Sequence, residues 1–110
     1  MTENVAGKTY AIRVGSEDKA ALIALANGAP LLHLVSSIVL REVDAALNGR
    51  SRLKLRMSPA RPPMKGGKVW MRLAHDEWWK WARAAARRHT TQQTFAYSAL
   101  RAAIAAAARR

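Results

Sequence analysis

The chain has 110 residues, which is enough for one domain or two very small ones. Its 19 Lys and Arg against 7 Asp and Glu give a formal net charge of +12, so we expect a polyanionic partner, nucleic acid before an acidic membrane surface. The absence of cysteine excludes disulfides, thiol catalysis and thiolate metal sites, and the three histidines lack metal-ligand spacing. No apolar run approaches the roughly 20 residues of a membrane span, and the N-terminus lacks the order of a signal peptide. We therefore expect a cytoplasmic protein that binds no metal, cofactor or membrane.

The first predicted element is a strand. Apolar side chains alternate with Thr9, Ala11 and Arg13, which is the period of a half-buried strand with these three residues facing outward. Ser16 is predicted to be the N-cap of the helix that follows. An acidic pair then lies in the first turn of this helix, where the helix dipole favours negative charge.

A second helix is predicted after Gly28, which suits a helix end, and Pro30, which suits a first turn. Its apolar positions recur at three- and four-residue steps and form an amphipathic stripe of Val35, Val39, Val43 and Leu47. Residues 48–67 then form a linker rich in Pro, Gly and basic residues, long enough to cross a small domain at about 3.3 Å per residue. The basic side chains of this linker are either simply exposed to solvent or bind DNA phosphates along the backbone, which adds affinity without sequence specificity. They are Arg50, Arg52, Lys54, Arg56, Arg61 and Lys65.

The rest of the chain repeats this order. Residues 68–73 alternate as a second strand, whose predicted outward residues are Lys68, Trp70 and Arg72. A helix with an acidic pair in its first turn follows. A long last helix begins after Thr90 and Thr91, and its predicted apolar stripe is Phe95, Ala99, Leu100 and Ala103.

The two halves share one order of residue types. The segments "KTYAIRVGSED" and "KVWMRLAHDE" each contain an alternating stretch, an arginine between apolar residues, a small residue and an acidic pair. Neither half can bury enough surface to fold alone, and a lone strand leaves its backbone groups unpaired. We therefore predict a mainly helical single domain, residues 1–110, topped by a two-stranded antiparallel ribbon. Repeat 1 (residues 8–47) and repeat 2 (residues 68–108) would be related by an internal pseudo-two-fold axis.

This arrangement resembles the ribbon-helix-helix proteins, specifically a tandem form in which one chain carries both halves of the usual dimer. The resemblance covers residues 8–47 and 68 to about 106. It implies a bacterial, nucleoid- or plasmid-associated protein that binds double-stranded DNA as a monomer with an internal pseudo-dimer. Tandem members include accessory proteins of plasmid conjugation and T-DNA transfer, whereas most of the family are transcriptional repressors. The implied partners are DNA and other proteins of a relaxosome or repression complex.

The six outward residues of the ribbon are the predicted base-reading set: Thr9, Ala11, Arg13, Lys68, Trp70 and Arg72. Arg13 and Arg72 suit bidentate contacts with guanine, each worth roughly 1–3 kcal/mol of discrimination. The amides near Thr90, Thr91 and Gln92 are predicted to hold a phosphate at a helix N-terminus. Their counterpart in the first half, "APLLH", has no hydroxyl or amide side chain. We therefore expect the two halves to read DNA differently, at an imperfectly symmetric site.

All four tryptophans lie within residues 70–81. Trp78 and Trp81, three residues apart on a predicted helix, are predicted to fill the core, whereas Trp79 points elsewhere. Trp70 faces outward unless the strand register is shifted by one residue, which would turn it inward.

No enzyme is predicted, because nothing in the chain supplies a set of nucleophile, base and oxyanion donors. Two alternatives stay open beside sequence-specific DNA binding. A non-specific nucleic-acid packaging or RNA-binding protein would show steep salt dependence and no preferred sequence. A protein–protein interaction module would use "WWKW" as its exposed anchor.

Overall fold

The computed structural model describes residues 7–57 and 67–109. In chain order these form β1 (Lys8–Arg13), α1 (Ser16–Ala26), α2 (Leu31–Leu47), β2 (Lys68–Leu73), α3 (His75–Arg87) and α4 (Gln92–Ala108). The prediction of a mainly helical chain with one two-stranded antiparallel sheet is confirmed. The predicted linker cations Arg61 and Lys65 lie outside the described residues.

β1 and β2 pair with each other within the one chain and form a ribbon. Ile12, Val69 and Met71 are at most 1% exposed on the face that covers the helices, whereas Trp70 is 49% exposed on the other face. The shifted register that would turn Trp70 inward is therefore wrong. Beyond the last strand pair, the amide of Val14 donates to the carbonyl of Gly67 at 2.8 Å.

α1 and α3 begin in the same way. The amide of Gly15 donates to Asp18 Oδ2 at 3.3 Å, and the amide of Ala74 donates to Glu77 Oε1 at 2.7 Å. In each helix an acidic side chain at the third position thus satisfies the amide of the capping residue. The predicted N-cap, Ser16, is instead the first helical residue, because Gly15 has the extended backbone of an N-cap, with φ −74° and ψ 160°.

The second helix of each half packs against the first helix of the other half. Arg101 of α4 donates to Asp18 of α1 at 2.6 Å, and Arg87 of α3 donates to the carbonyl of Leu47, the last residue of α2, at 2.6 Å. The two halves therefore share one continuous apolar core. The members of the predicted stripes that are buried in it are Val35, Val39, Val43, Phe95, Ala99 and Leu100.

The tryptophans of α3 divide between core and surface. Trp81 is 5% exposed, and its indole N–H donates to the carbonyl of Gln92 at 3.1 Å. Trp78 is partly buried against the core, and Trp79 is 54% exposed. The prediction of a core position is therefore confirmed for Trp81 and only in part for Trp78.

The first part of the predicted linker packs against the helices. Leu53 is 5% exposed and belongs to the core. The guanidinium of Arg88 donates to the Leu53 carbonyl at 2.6 Å, and the buried hydroxyl of Ser98 accepts from the amide of Arg56 at 2.8 Å. We call residues 51–57 the strap, because these contacts hold them against α4 and the end of α3.

A pH effect on stability follows from the contact between α1 and α4. Burial, and next the charge of Asp18, raise the pKa of the Tyr97 hydroxyl above its usual value of about 10. Tyr97 therefore ionises at a lower pH in the unfolded chain than in the folded one. Its contribution to the free energy of unfolding is fully present below a pH of about 10, and it is lost as the pH rises through the pKa of the folded state. We expect the free energy of unfolding to fall above pH of about 10 more steeply in the wild type than in Tyr97→Phe. Urea titrations of both proteins from neutral to alkaline pH measure this difference, and parallel curves would contradict it.

Candidate nucleic-acid interface

The outer face of the ribbon carries all six residues predicted to read bases. They form three directly opposed pairs: Thr9 with Arg72, Ala11 with Trp70, and Arg13 with Lys68. Arg13 is half-buried and the other five are exposed. A two-stranded ribbon has the width to enter the major groove. Three cations, a hydroxyl and an indole therefore stand together on a surface of the shape that fits the groove.

One end of the ribbon concentrates positive charge. Arg13 and Lys68 oppose each other directly, and like charges in such a pair are destabilising. Neither forms an ion pair within residues 7–57 and 67–109. The Nε of Arg13 is also buried without a hydrogen-bond partner among those residues. A phosphate or a base acceptor at this end would offset the repulsion.

Each strand is held at its outer edge by the second helix of the other half. On β1, the side-chain amide of Gln93 accepts from the Arg13 N–H at 3.1 Å and donates to the Arg13 carbonyl at 2.9 Å. On β2, the hydroxyl of Ser36 accepts from the Arg72 N–H at 2.9 Å. The same hydroxyl donates to the carbonyl of Leu32 at 2.8 Å. The backbones of both candidate reading arginines are thus fixed.

The predicted phosphate site lies at the start of α4. Thr91 is the N-cap, and its hydroxyl accepts from the amide of Thr94 at 3.0 Å. The Thr90 amide is already bonded to the carbonyl of Ala85 at 3.0 Å, so Thr90 offers no amide to an anion. The first two amides of α4 have no acceptor within the described chain, and the Nε2 of Gln92 is buried there without a partner. The backbone amides of Gln92 and Gln93 are therefore the ones left for an anion at the start of α4.

The start of α2 opens onto a cleft of about 440 Å³ beside the ribbon. Its N-cap, Pro30, makes no side-chain cap, which agrees with the lack of polar side chains noted in the sequence. The cleft is lined by Leu31 and Leu32 at the start of the helix and by the side chains of Lys19 and Lys68. Two lysines therefore supply the positive charge that "APLLH" lacks. Lys19 is not in the predicted set, because its neighbours in sequence give no sign of this cleft.

Trp79 is the exposed aromatic residue of α3. Its indole N–H donates to His75 Nε2 at 3.2 Å, and its ring packs edge-on against Trp78 with centroids 4.9 Å apart. These contacts hold the ring on the helix surface. Within the segment "WWKW", Trp79 is therefore the tryptophan that offers an anchor to a protein partner, since Trp81 is in the core and Trp78 is partly buried.

We call the side-chain hydrogen bonds that hold the outer strand edges the clamps, made by Gln93 on β1 and by Ser36 on β2. The Gln93 clamp contributes measurably to stability. Gln93→Ala removes both hydrogen bonds to Arg13 and leaves a partly buried backbone N–H and C=O without partners, which costs about 1–3 kcal/mol. Urea unfolding measures the loss. Gln92→Ala is the matched control, because the Nε2 of Gln92 is buried without a partner in the described residues and its removal forfeits no side-chain bond. Equal losses from the two variants would contradict the clamp.

The described residues contain no group of three or more His, Asp or Glu side chains that could hold a metal ion. In the same part of the chain, no single helix is long and apolar enough to cross a membrane; α1 and α2 together meet that test but join at an angle of 99°.

Comparisons of the chain with models of protein families, with curated protein sequences and with solved structures find no match. Any conclusion about function therefore rests on the residues and on the geometry of the ribbon.

Proposed function

We propose that this chain is a tandem ribbon-helix-helix protein that binds double-stranded DNA in a sequence-specific manner by placing its ribbon in the major groove. The observation that carries this proposal is the outer face of the ribbon, where three cations and an exposed indole project from strands held at both outer edges. Specific recognition needs side chains held in a fixed geometry, because a base pair is read by the direction of its donors and acceptors.

The register of the ribbon supports the tandem arrangement. An offset of 59 residues relates the starts of α1 and α3, and it also relates Arg13 to Arg72. Ala11 pairs with Trp70, which is its own counterpart at that offset. A pseudo-two-fold axis through this pair would exchange the two strands, as the dyad of a dimer does in the family that the chain resembles.

The two halves would read different sequences. The central pair is a small residue on one strand and an indole on the other, so the base pairs nearest the axis meet different side chains. Arg72 lies opposite a threonine and Arg13 opposite a lysine. We therefore expect a DNA site of imperfect two-fold symmetry. A single chain permits this asymmetry, whereas a homodimer repeats one sequence.

Phosphates on either side of the groove would be held by different means in the two halves. At α4 the donors are the first helical amides, and at α2 they are the side chains of Lys19 and Lys68 beside the helix start. The proposed role is that of an accessory or regulatory protein of a plasmid or other mobile element, in DNA transfer or in repression. Other proteins of such a complex would then be partners.

The alternative of a protein–protein module rests on Trp79, which is 54% exposed. The alternative of non-specific packaging or RNA binding rests on the net charge of +12 and on the exposed indole of Trp70. The clamped strand edges favour neither alternative, because neither function requires side chains held in a fixed geometry.

Selection of bound sequences from a pool of random duplexes tests the proposal, followed by footprinting on DNA that flanks the gene. We expect an enriched sequence of imperfect symmetry, bound at least about 10³-fold more tightly than random duplex at physiological salt. The position of the footprint, at a promoter or at a transfer origin, separates the two roles. No enrichment, with binding that depends only on salt, would leave the packaging function as the correct one.

A further inference from the structure

A second cationic surface lies between the strap and the ends of α2 and α4. Four cations and one carboxylate, that of Glu42, are among the residues that line a cleft of about 390 Å³ there; the cations are Arg50, Arg52, Lys54 and Arg109. All four cations are exposed. None of them forms an ion pair within residues 7–57 and 67–109. The cleft therefore keeps a net positive charge.

This cleft is distant from the ribbon along both helices. Ala105 lines the cleft and lies twelve residues beyond Gln93, the clamp of β1, which is about 18 Å along α4. Ala45 also lines it and lies nine residues beyond Ser36, the clamp of β2, which is about 13 Å along α2. A phosphate held at either clamped edge of the ribbon cannot touch the cleft as well. The two surfaces would thus hold different phosphates.

The strap presents its cations from a fixed backbone. Exposed and buried residues alternate along the strap. Arg52 and Lys54, which flank Leu53 in the sequence, are exposed, whereas Leu53 is buried. The Arg88 guanidinium and the Ser98 hydroxyl bind strap backbone groups at 2.6 and 2.8 Å. Because the backbone is already ordered, an anion that binds here does not have to offset the entropy of ordering a loop.

We propose that this cleft binds the phosphate backbone of a second segment of nucleic acid, so that one chain holds two duplexes at once. The inference rests on the proposed function for the duplex at the ribbon. Binding at the cleft is independent of sequence, since contacts between cations and phosphates carry no base information. It is also salt-dependent, because each neutralised phosphate releases counterions. The protein thereby joins a specific site to any neighbouring DNA.

A capture assay tests this directly. The full chain is bound to an immobilised duplex of about 15 base pairs that carries the selected sequence, and a labelled duplex of random sequence is then added. The immobilised duplex is too short and stiff to bend round the domain, given a persistence length of about 150 base pairs. We expect the wild-type protein to capture the labelled duplex. The double variant Arg52→Gln with Lys54→Gln, which we call the strap variant, should capture at least tenfold less of the labelled duplex. The slope of log capture against log salt should fall by about 1.8 for two lost phosphate contacts.

Two further double variants remove one lysine and one arginine elsewhere. Lys80→Gln with Arg83→Gln, on the exposed face of α3, should capture the labelled duplex within twofold of the wild type. Lys68→Gln with Arg72→Gln, on the ribbon, should lose preference for the immobilised sequence. The strap variant should bind the immobilised duplex alone within twofold of the wild type, and circular dichroism should show all variants folded.

The second site would be overturned if the strap variant captured as well as the wild type, or if the α3 variant lost as much capture as the strap variant. It would also be overturned if the strap variant bound the immobilised duplex alone as poorly as it captures the second duplex. In the last case the strap follows the same DNA as the ribbon. Strap-dependent binding to vesicles of acidic phospholipid, with no capture of duplex, would assign the cleft to a membrane surface instead. Failure of the proposed function shows separately, as a ribbon variant that keeps full sequence preference.

Discussion

Replacing Arg72 by alanine is expected to weaken binding to the selected duplex by about 5- to 150-fold, which corresponds to the 1–3 kcal/mol of a bidentate contact with a base. Binding to random duplex should fall much less, because on that DNA the variant loses only the sequence-independent contribution of a single charge. Arg72 is the sharper test of the two reading arginines, since it is exposed whereas Arg13 is half-buried. The backbone bond from Arg72 to Ser36 survives the substitution, so the strand stays in place. Titration of both duplexes with wild type and variant measures the ratio.

Arg83→Ala is the control for Arg72→Ala. It removes the same charge from an exposed position on α3, on a cleft that Arg83 shares with Leu47 at the end of α2. We expect equal and small losses on both duplexes for this variant. If Arg72→Ala also lowered the two affinities equally, Arg72 would be a phosphate contact and would have no part in base reading.

Replacing Leu53 by alanine is expected to lower the free energy of unfolding by about 2–5 kcal/mol, the usual cost of truncating a core leucine. Leu53 is 5% exposed and belongs to the same core as the helices, although it lies in a segment without secondary structure. Such a loss is a large part of the 5–15 kcal/mol that holds a domain of this size together. Urea unfolding followed by circular dichroism measures it.

Met57→Ala serves as the control for Leu53→Ala. Met57 lies four residues further along the strap and is 91% exposed, so its truncation should change stability by less than about 0.5 kcal/mol. A similarly small effect at Leu53 would mean that the strap does not pack as described, and the fixed presentation of its cations would fail with it.

The buried side of the strap is indicated by a short alternating pattern in the sequence. Arg52, Leu53, Lys54, Leu55 and Arg56 alternate between charged and apolar residues, which is the pattern of an extended segment with one face buried. The surrounding Pro, Gly and basic residues predict a linker. The structure places Leu53 in the core and partly buries Leu55 against it, while the three cations stay exposed. Short-range alternation was the better guide here than average composition.

The candidate interface was only partly accessible from the sequence. Thr9, Trp70 and Arg72 could be assigned to an outer face because strand residues alternate with a period of two. The clamps could not, since Gln93 lies 80 residues from Arg13 and Ser36 lies 36 residues from Arg72. A polar side chain on a helix has the same local pattern whether it meets solvent or the edge of a distant strand.

Periodicity along the chain therefore decides the type of each element, the faces of the ribbon and the helix stripes, because these depend on neighbours within a few residues. Tertiary structure alone decides which strand edge each helix holds, which amides at the helix starts remain free, and which of the linker cations gather at a cleft. These outcomes depend on how the helices cross over the shared core, and the packing of side chains from both halves sets that geometry. The arginines are predictable as residues of an outer face, and their fixed backbones are a property of the fold.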